Sequence, residues 1–306
     1  MSGRAIAVVA AVGVAAAVIA NALLGSTQTG TVLVPQAAFP SDMEALPDGG
    51  LLYAERATGR IRVVRANGSV DGETLARVAV RTDGQRGLLG LARTARGDVF
   101  AGWVDPAGSL LVGRVAPGPV QVIWRGPATR RQSNGGRIAF TPDGQQLFVG
   151  VGDLLDRALV TDPSAPNGKL LLLDPSGPES QRPEVHSSGW NNPFAFAADE
   201  DGTIWVADNS PGSEPERLAR VSPEGVVTVL AELPARTAPS GLARVPGGLL
   251  VCGYRSRALL VYPLRGTVLD EPLTPAEDCA LDVVALADGR VAYANEREIR
   301  VLEAGL

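Results

Sequence analysis

The chain has 306 residues, of which 45% are hydrophobic and 20% are charged, and its formal net charge is −5 at pH 7. Length and apolar content are typical of a folded globular protein, and an acidic balance with scattered arginines excludes a basic surface for nucleic acid. Two cysteines and one histidine are too few for a zinc, haem or iron–sulfur site built from Cys and His. A calcium site made of carboxylates and carbonyls stays open.

The first predicted element is an uncharged apolar segment that follows Arg4. It runs for twenty residues, from Ala5 to Leu24, and is long enough to cross a bilayer as a helix. The stretch from Ile19 to Ala22 also has the Ala-x-Ala pattern of a signal-peptide cleavage site. We therefore predict one hydrophobic helix over residues 1–25, either a cleaved signal peptide or a retained membrane anchor, and a polar spacer over 26–35. Both alternatives place the remainder outside the cytoplasm, secreted or membrane-anchored.

A repeated unit fills the rest of the chain. Each copy has a glycine turn and then two apolar, alternating stretches, as in PDGGLLYAERATGRIRVVR from Pro47 onward. The six turn glycines are Gly49, Gly97, Gly144, Gly202, Gly248 and Gly289, and their spacings are 48, 47, 58, 46 and 41 residues. That period is typical of a four-stranded propeller blade. We predict an all-β fold, a six-bladed β-propeller over residues 36–306, with a seven-bladed ring or an open sandwich as the alternative.

Five segments in chain order carry a family resemblance. They are DGQRGLLGLA (83–92), NGGRIAFTPDG (134–144), LFVGVGD (147–153), NGKLLLLDPSG (167–177) and NNPFAFAADEDGTIWVAD (191–208). Together they resemble the signature segments of the soluble glucose/sorbosone dehydrogenase family. The resemblance implies a six-bladed propeller that uses pyrroloquinoline quinone (PQQ) and calcium to oxidise sugars.

The residue at the position of the family's general base differs. The family has a histidine directly before the stretch that matches Asn134 to Arg137, and this chain has Ser133. Imidazole can hold a proton near neutral pH, whereas an isolated hydroxyl cannot. The one histidine, His186, falls in a different segment, and no Gly-x-Ser-x-Gly elbow supports a serine hydrolase. Ser133 is therefore the candidate catalytic residue by position and is not a competent base.

Cofactor contacts implied by the resemblance are partly retained. Gln85, Asn192 and Arg255 match polar or cationic PQQ contacts, and Asn191 stands where the family has an arginine. Two further family arginines align with Cys279 and Leu281. Because PQQ carries three carboxylates, the loss of three cations predicts weakened cofactor binding.

The segment DNSPGSEPERLARV (208–221) resembles the family's calcium loop. The resemblance implies backbone carbonyls near Ser210 and Pro211 and carboxylates at Glu214 and Glu216 as ligands. A solvated loop without metal is the alternative interpretation.

The resemblance also places Cys252 and Cys279 on strands that feed the same face of the propeller, and we expect them to form a disulfide in an extracytoplasmic protein.

Three functional hypotheses follow from these residues. The favoured one is a catalytically degenerate family member that binds a small polar ligand, a sugar or a protein partner. The first alternative is an active PQQ-dependent sugar or alcohol dehydrogenase with a rearranged site. The second is a metal-dependent lactonase-type propeller.

Overall fold

The computed structural model describes residues 29–210 and 214–302. In these ranges the chain forms 25 β-strands and one five-residue helix, α1 (Arg157–Thr161). The strands make six antiparallel sheets, and the innermost strands of the sheets contact one another in a closed ring. The predicted all-β, six-bladed propeller is confirmed.

Blades one to three follow the chain from the inner strand outward. Blade one consists of β2 (Pro40–Ala45), β3 (Leu51–Glu55), β4 (Arg60–Val64) and β5 (Ala76–Arg77). Blade two consists of β6 (Leu88–Arg93), β7 (Val99–Val104), β8 (Ser109–Ala116) and β9 (Gln121–Ala128). Blade three consists of β10 (Gly135–Phe140), β11 (Leu147–Val151), β12 (Lys169–Leu173) and β13 (Glu184–Ser188).

Blades four to six complete the ring. Blade four consists of β14 (Ala195–Ala198), β15 (Ile204–Asp208), β16 (Arg217–Val221) and β17 (Val227–Glu232). Blade five consists of β18 (Pro239–Val245), β19 (Gly248–Gly253) and β20 (Ala258–Arg265), with β21 (Val268–Leu269) and β22 (Leu273–Glu277) both paired to β20. Blade six consists of β23 (Val283–Ala285), β24 (Val291–Ala294), β25 (Ile299–Leu302) and, outermost, β1 (Thr31–Val34).

The ring closes through strand β1. β1 pairs antiparallel with β25, so the last blade takes its outer strand from the other end of the chain. The spacer predicted over 26–35 overlaps this strand, and the propeller begins before residue 36. The predicted hydrophobic helix over 1–25 lies outside the described residues. Within them, no helix has the length and apolar character needed to cross a membrane.

Most predicted turn glycines occupy the left-handed region that their turns require. Gly49, Gly97, Gly144 and Gly202 have φ between 69° and 100°, and Gly289 has 88°. The fifth turn is the exception, because its left-handed residue is Gly247, with φ of 84°, and the predicted Gly248 begins strand β19. The prediction located this turn one residue too late.

The core consists of six hydrophobic clusters, and each lies between two neighbouring blades. Strands such as β3, β7 and β11 are buried along their whole length, because both of their faces pack against adjacent blades. Blades five and six are also joined covalently. Cys252 and Cys279 form a disulfide with a Cα–Cα distance of 5.1 Å, as the sequence led us to expect.

Candidate functional site

A buried ion cluster joins the blades at the propeller axis. Arg137, on β10, donates hydrogen bonds to the carboxylate of Asp42 and, through Nη2, to Oδ1 of Asp282 at 3.0 Å. The same guanidinium donates to the carbonyl oxygens of Ser240 at 2.8 Å and Phe194 at 3.1 Å. Above and below this cluster the axis opens into two cavities.

The larger cavity, of about 780 Å³, is the candidate site. Its floor includes the buried residues Ser41, Leu89, Asn134, Asn192, Ser240 and Leu281. Its rim includes the exposed residues Gln85, Gln132, Glu232, Arg236, Tyr254 and Arg255. The lining comes mainly from residues that precede an inner strand or follow the second strand of a blade. The volume is sufficient for a ligand of the size of a quinone cofactor or a sugar.

Ser133 lies beneath the floor of this cavity. Its side chain does not line the cavity, the residue is only 1% exposed, and its φ of 54° is in the left-handed region. Its N–H donates to Oε1 of Gln85 at 3.0 Å, and its Oγ is buried without a hydrogen-bond partner among the described residues. Asp153 is buried close by, which raises the pKa of its carboxyl, and it does not line the cavity either. The predicted position of the base therefore offers a ligand no proton acceptor.

His186 also lies away from the cavity. It is on β13, the outer strand of blade three, where its ring packs edge-to-face on Phe148 with centroids 5.1 Å apart. Burial lowers the pKa of this imidazole. The structure therefore assigns His186 a packing role.

The predicted amide residues divide into two groups. Gln85 and Asn192 line the cavity, and the side-chain oxygen of each accepts a backbone N–H: Gln85 from Ser133 and Asn192 from Gly135, at 2.9 Å. Their NH₂ groups have no partner in the described part of the chain and remain able to donate to a ligand. Asn191 points elsewhere, because its N–H and Nδ2 both donate to the buried Asp208 at 3.1 Å. A direct cofactor contact by Asn191 is not supported.

The cations of the cavity differ from those the sequence indicated. Arg255 lines the rim as predicted, and Leu281 contributes an apolar surface to the floor. Arg56 and Arg236 also line the cavity, and no family motif identified them. Their position in the blade could have identified them. Arg56 follows β3 as Arg255 follows β19, and Arg236 precedes the inner strand β18.

The predicted calcium ligands do not assemble into a metal site in the described residues. Ser210 and Glu216 line the cavity, while Pro211 lies outside the described ranges. Glu216 accepts the N–H of Ala238 at 2.8 Å through Oε2, and burial raises the pKa of its carboxyl. No group of three acidic, histidine or cysteine side chains suited to a metal occurs between residues 29 and 210 or 214 and 302. The described carboxylates of the predicted loop therefore do not form a metal site by themselves.

The lining of the same cavity has donors that suit the carboxylates of PQQ. Nε of Arg56 and Nδ2 of Asn134 are both buried donors without a partner in the described chain. Buried donors of this kind are normally hydrogen-bonded, so a ligand rich in acceptor oxygens would complement the site. Arg56, Arg236 and Arg255 would face the carboxylates of such a ligand.

Comparison with known proteins supports the resemblance. The sequence profile of the glucose/sorbosone dehydrogenase family matches residues 37–216. No curated protein matches the chain. A Thermus thermophilus oxidoreductase named as a glucose dehydrogenase is 28% identical, with a TM-score of 0.77 over 90% of this chain and 99% of that one.

Two aldose sugar dehydrogenases share the fold at lower identity. The PQQ-bound enzyme of Streptomyces coelicolor is 24% identical, with a TM-score of 0.74 over 90% of this chain and 98% of that one. The soluble apo-enzyme of Escherichia coli is 18% identical, with a TM-score of 0.74 over 90% of this chain and 99% of that one. The family profile covers more than half of the chain and includes the cavity-lining residues from Phe39 to Glu216. The chain belongs to the glucose/sorbosone dehydrogenase family.

Proposed function

We propose that this glucose dehydrogenase-like propeller binds a small, oxygen-rich ligand in its larger axial cavity and does not oxidise sugars there. The observation that carries the proposal is the burial of Ser133, which stands at the position of the family's base and is 1% exposed. Sugar oxidation by hydride transfer requires a group that takes the hydroxyl proton. At residue 133 no such group reaches the cavity.

The lining of the cavity supports a binding role. Amide NH₂ groups of Gln85 and Asn192 face the ligand space, and donors of this kind recognise hydroxyl and carbonyl oxygens. Leu281 and Phe194 add apolar surface, against which the C–H face of a sugar ring can pack.

An active PQQ-dependent dehydrogenase is the second candidate. Two observations favour it: the 28% identity to the Thermus thermophilus oxidoreductase and the three arginines around the cavity. When bound, PQQ would supply the two-electron acceptor for sugar oxidation. This chain's residues would hold its carboxylates through Arg56, Arg236 and Arg255. Glu216, which lines the cavity, would be the carboxylate available to accept the substrate proton.

The two candidates separate in one experiment. The full-length protein, purified in detergent, is titrated with PQQ in the presence and absence of calcium while tryptophan fluorescence is followed. The loaded sample is then assayed for dye-coupled oxidation of a panel of aldoses and alcohols. A PQQ-dependent aldose sugar dehydrogenase serves as the positive control.

We expect no turnover above that of the Arg255→Gln variant on any substrate, whether or not PQQ binds. Saturable turnover that Arg255→Gln reduces at least about tenfold would reject the binding role and establish the dehydrogenase.

We further propose that the protein works outside the cytoplasm. The apolar segment behind Arg4 and the disulfide between two fully buried cysteines support this location. Trypsin treatment of intact cells and of spheroplasts, followed by detection of the propeller, tests it, since a cytoplasmic propeller would resist digestion in both.

A further inference from the structure

Arg56, Arg236 and Arg255 reach the larger cavity from three separate loops, after β3, before β18 and after β19. In the part of the chain that the structure describes, none of the three guanidinium groups forms an ion pair, although 19 ion pairs occur elsewhere. Guanidinium groups without an ion-pair partner can each donate to a carboxylate of a ligand.

Arg56 is held in place without a counter-charge. Its Nη1 donates to the carbonyl oxygens of Gly84 at 2.9 Å and Arg86 at 3.0 Å, and its guanidinium lies 4.2 Å from the centroid of the Phe39 ring. Its Nε is buried and has no partner among the described residues. Arg56 as a whole is half-buried, but its unpartnered Nε is a buried donor that an incoming carboxylate oxygen would satisfy.

Three glutamates line the same cavity, and in the described residues none of them forms an ion pair with Arg56, Arg236 or Arg255. Glu216 accepts the N–H of Ala238, and the positive charge of Arg255 opposes the rise that burial causes in the pKa of its carboxyl. Glu214 lies 4.0 Å from Nε of Arg157. Glu232 is exposed at the rim, where solvent screens it. Solvent screens the rim arginines in the same way, so their availability rests on their free donor groups and not on a net positive charge of the cavity.

The remaining lining indicates what else the ligand carries. Phe39 and Tyr254 present aromatic surface, and Leu281 presents apolar surface, which suits a ring. Asn134 and Asn192 present amide donors at the floor, which suits hydroxyl or carbonyl oxygens.

We propose that the ligand is a ring carboxylate of the sugar-acid class, with its carboxylate held by Arg56, Arg236 and Arg255 and its other oxygens held by the floor amides. The inference rests on the proposed binding function and names its ligand class. A carboxylated quinone such as PQQ also combines a ring with a carboxylate, and the experiment distinguishes a sugar acid from a quinone.

The experiment is isothermal titration calorimetry of the full-length protein with D-glucuronate, D-glucose and PQQ. At about 20 mM salt we expect glucuronate to bind at least about tenfold more tightly than glucose, an advantage that shrinks as salt is raised. Arg236→Gln and Arg56→Gln should each weaken glucuronate binding at least about fivefold more than they weaken glucose binding. Arg265→Gln, which removes an arginine whose side chain is 79% exposed, is the matched control and should change neither affinity.

The outcomes separate this inference from the proposed function. Equal affinities for glucuronate and glucose, insensitive to both arginine variants, overturn the sugar-acid ligand and leave sugar binding standing. Arginine-dependent binding of PQQ without binding of glucuronate assigns the carboxylate to a quinone and also overturns it. Arginine-dependent glucuronate binding together with oxidative turnover supports the inference and rejects the proposed function. Because Arg236 is exposed, its variant keeps the test valid if Arg56→Gln does not fold.

Discussion

Glu44 faces the smaller axial cavity from the inner strand β2, and Arg93 lines the same cavity. Burial raises the pKa of its carboxyl to about 7, against the opposing effect of Arg93. The nearby negative charge of Asp282 adds to the rise. Glu44 is therefore a carboxyl that changes charge near neutral pH inside the propeller.

This pKa makes the stability of the protein depend on pH. The unfolded chain releases the Glu44 proton near the usual value of 4.5, whereas the folded chain releases it near 7. Between these values the folded state binds more protons, so the free energy of unfolding falls as pH rises through this window. We expect Glu44→Gln, which mimics the neutral acid, to match wild type at pH 4 and to exceed it in free energy of unfolding at pH 8 by about 3 kcal/mol.

Urea denaturation of both proteins from pH 4 to pH 8, followed by tryptophan fluorescence, measures this difference. Glu200→Gln, on an exposed turn, is the control, and its free energy of unfolding should differ from that of wild type by the same amount at every pH. If the difference between Glu44→Gln and wild type is also independent of pH, the carboxyl of Glu44 has the same pKa in the folded and unfolded chains.

Sequence motifs located only part of the candidate site. Gln85, Asn192 and Arg255 reach the cavity as the family resemblance implied. The burial of Ser133 was not predictable, because it depends on a left-handed backbone at a residue other than glycine. Arg56 and Arg236 belong to no motif, and only knowledge of which loops face the axis could identify them.

The disulfide between Cys252 and Cys279 links strand β19 of blade five to the segment before β23 of blade six. Both cysteines are fully buried within the cluster that packs these two blades. The cross-link spans 27 residues of chain and includes the strands β20 to β22. It therefore restricts the unfolded chain over more than half a blade.

Removing this cross-link should destabilise the propeller. We expect the Cys252→Ala/Cys279→Ala variant to lose about 3 kcal/mol of unfolding free energy, mainly because its unfolded chain gains freedom. Urea denaturation of the variant is compared with that of wild type reduced by a phosphine. The reduced wild type keeps both side chains and should lose a similar amount. No change in either sample would show that the cross-link does not restrict the unfolded chain.

The blades themselves were largely predictable, since glycine turns and alternating strands recur at blade length. β1 was assigned to a spacer because its four residues, Thr31–Val34, find their partner in β25, at the other end of the chain. Local patterns do not report such long-range pairing. At Gly247 and Gly248 the sequence offers two adjacent glycines, and only the pairing of β18 with β19 selects the first for the turn.

The axial cluster connects the whole ring through a small number of buried charges. Arg137 of blade three contacts Asp42 of blade one, Asp282 of blade six, and carbonyls that precede or belong to the inner strands of blades four and five. Asp42 accepts the N–H of Leu91 in blade two at 2.6 Å. All six blades are thus joined through Arg137 and Asp42, and this cluster lies between the two cavities.

Replacing Arg137 by methionine should therefore affect the entire propeller. The variant leaves two carboxylates buried without their cation, and removal of one partner from a buried ion pair costs about 3–5 kcal/mol. We expect a loss of that size in the free energy of unfolding, measured by urea denaturation. Arg65→Met, which removes an arginine from an exposed pair with Asp71, should cost less than about 1 kcal/mol. Adding Asp42→Asn and Asp282→Asn to Arg137→Met should recover much of the lost free energy of unfolding, because the unpaired negative charges are then gone. The asparagine side chains keep an oxygen that accepts the N–H group of Leu91 or of Met43. A loss no larger than that of Arg65→Met would mean that blade packing alone holds the ring closed.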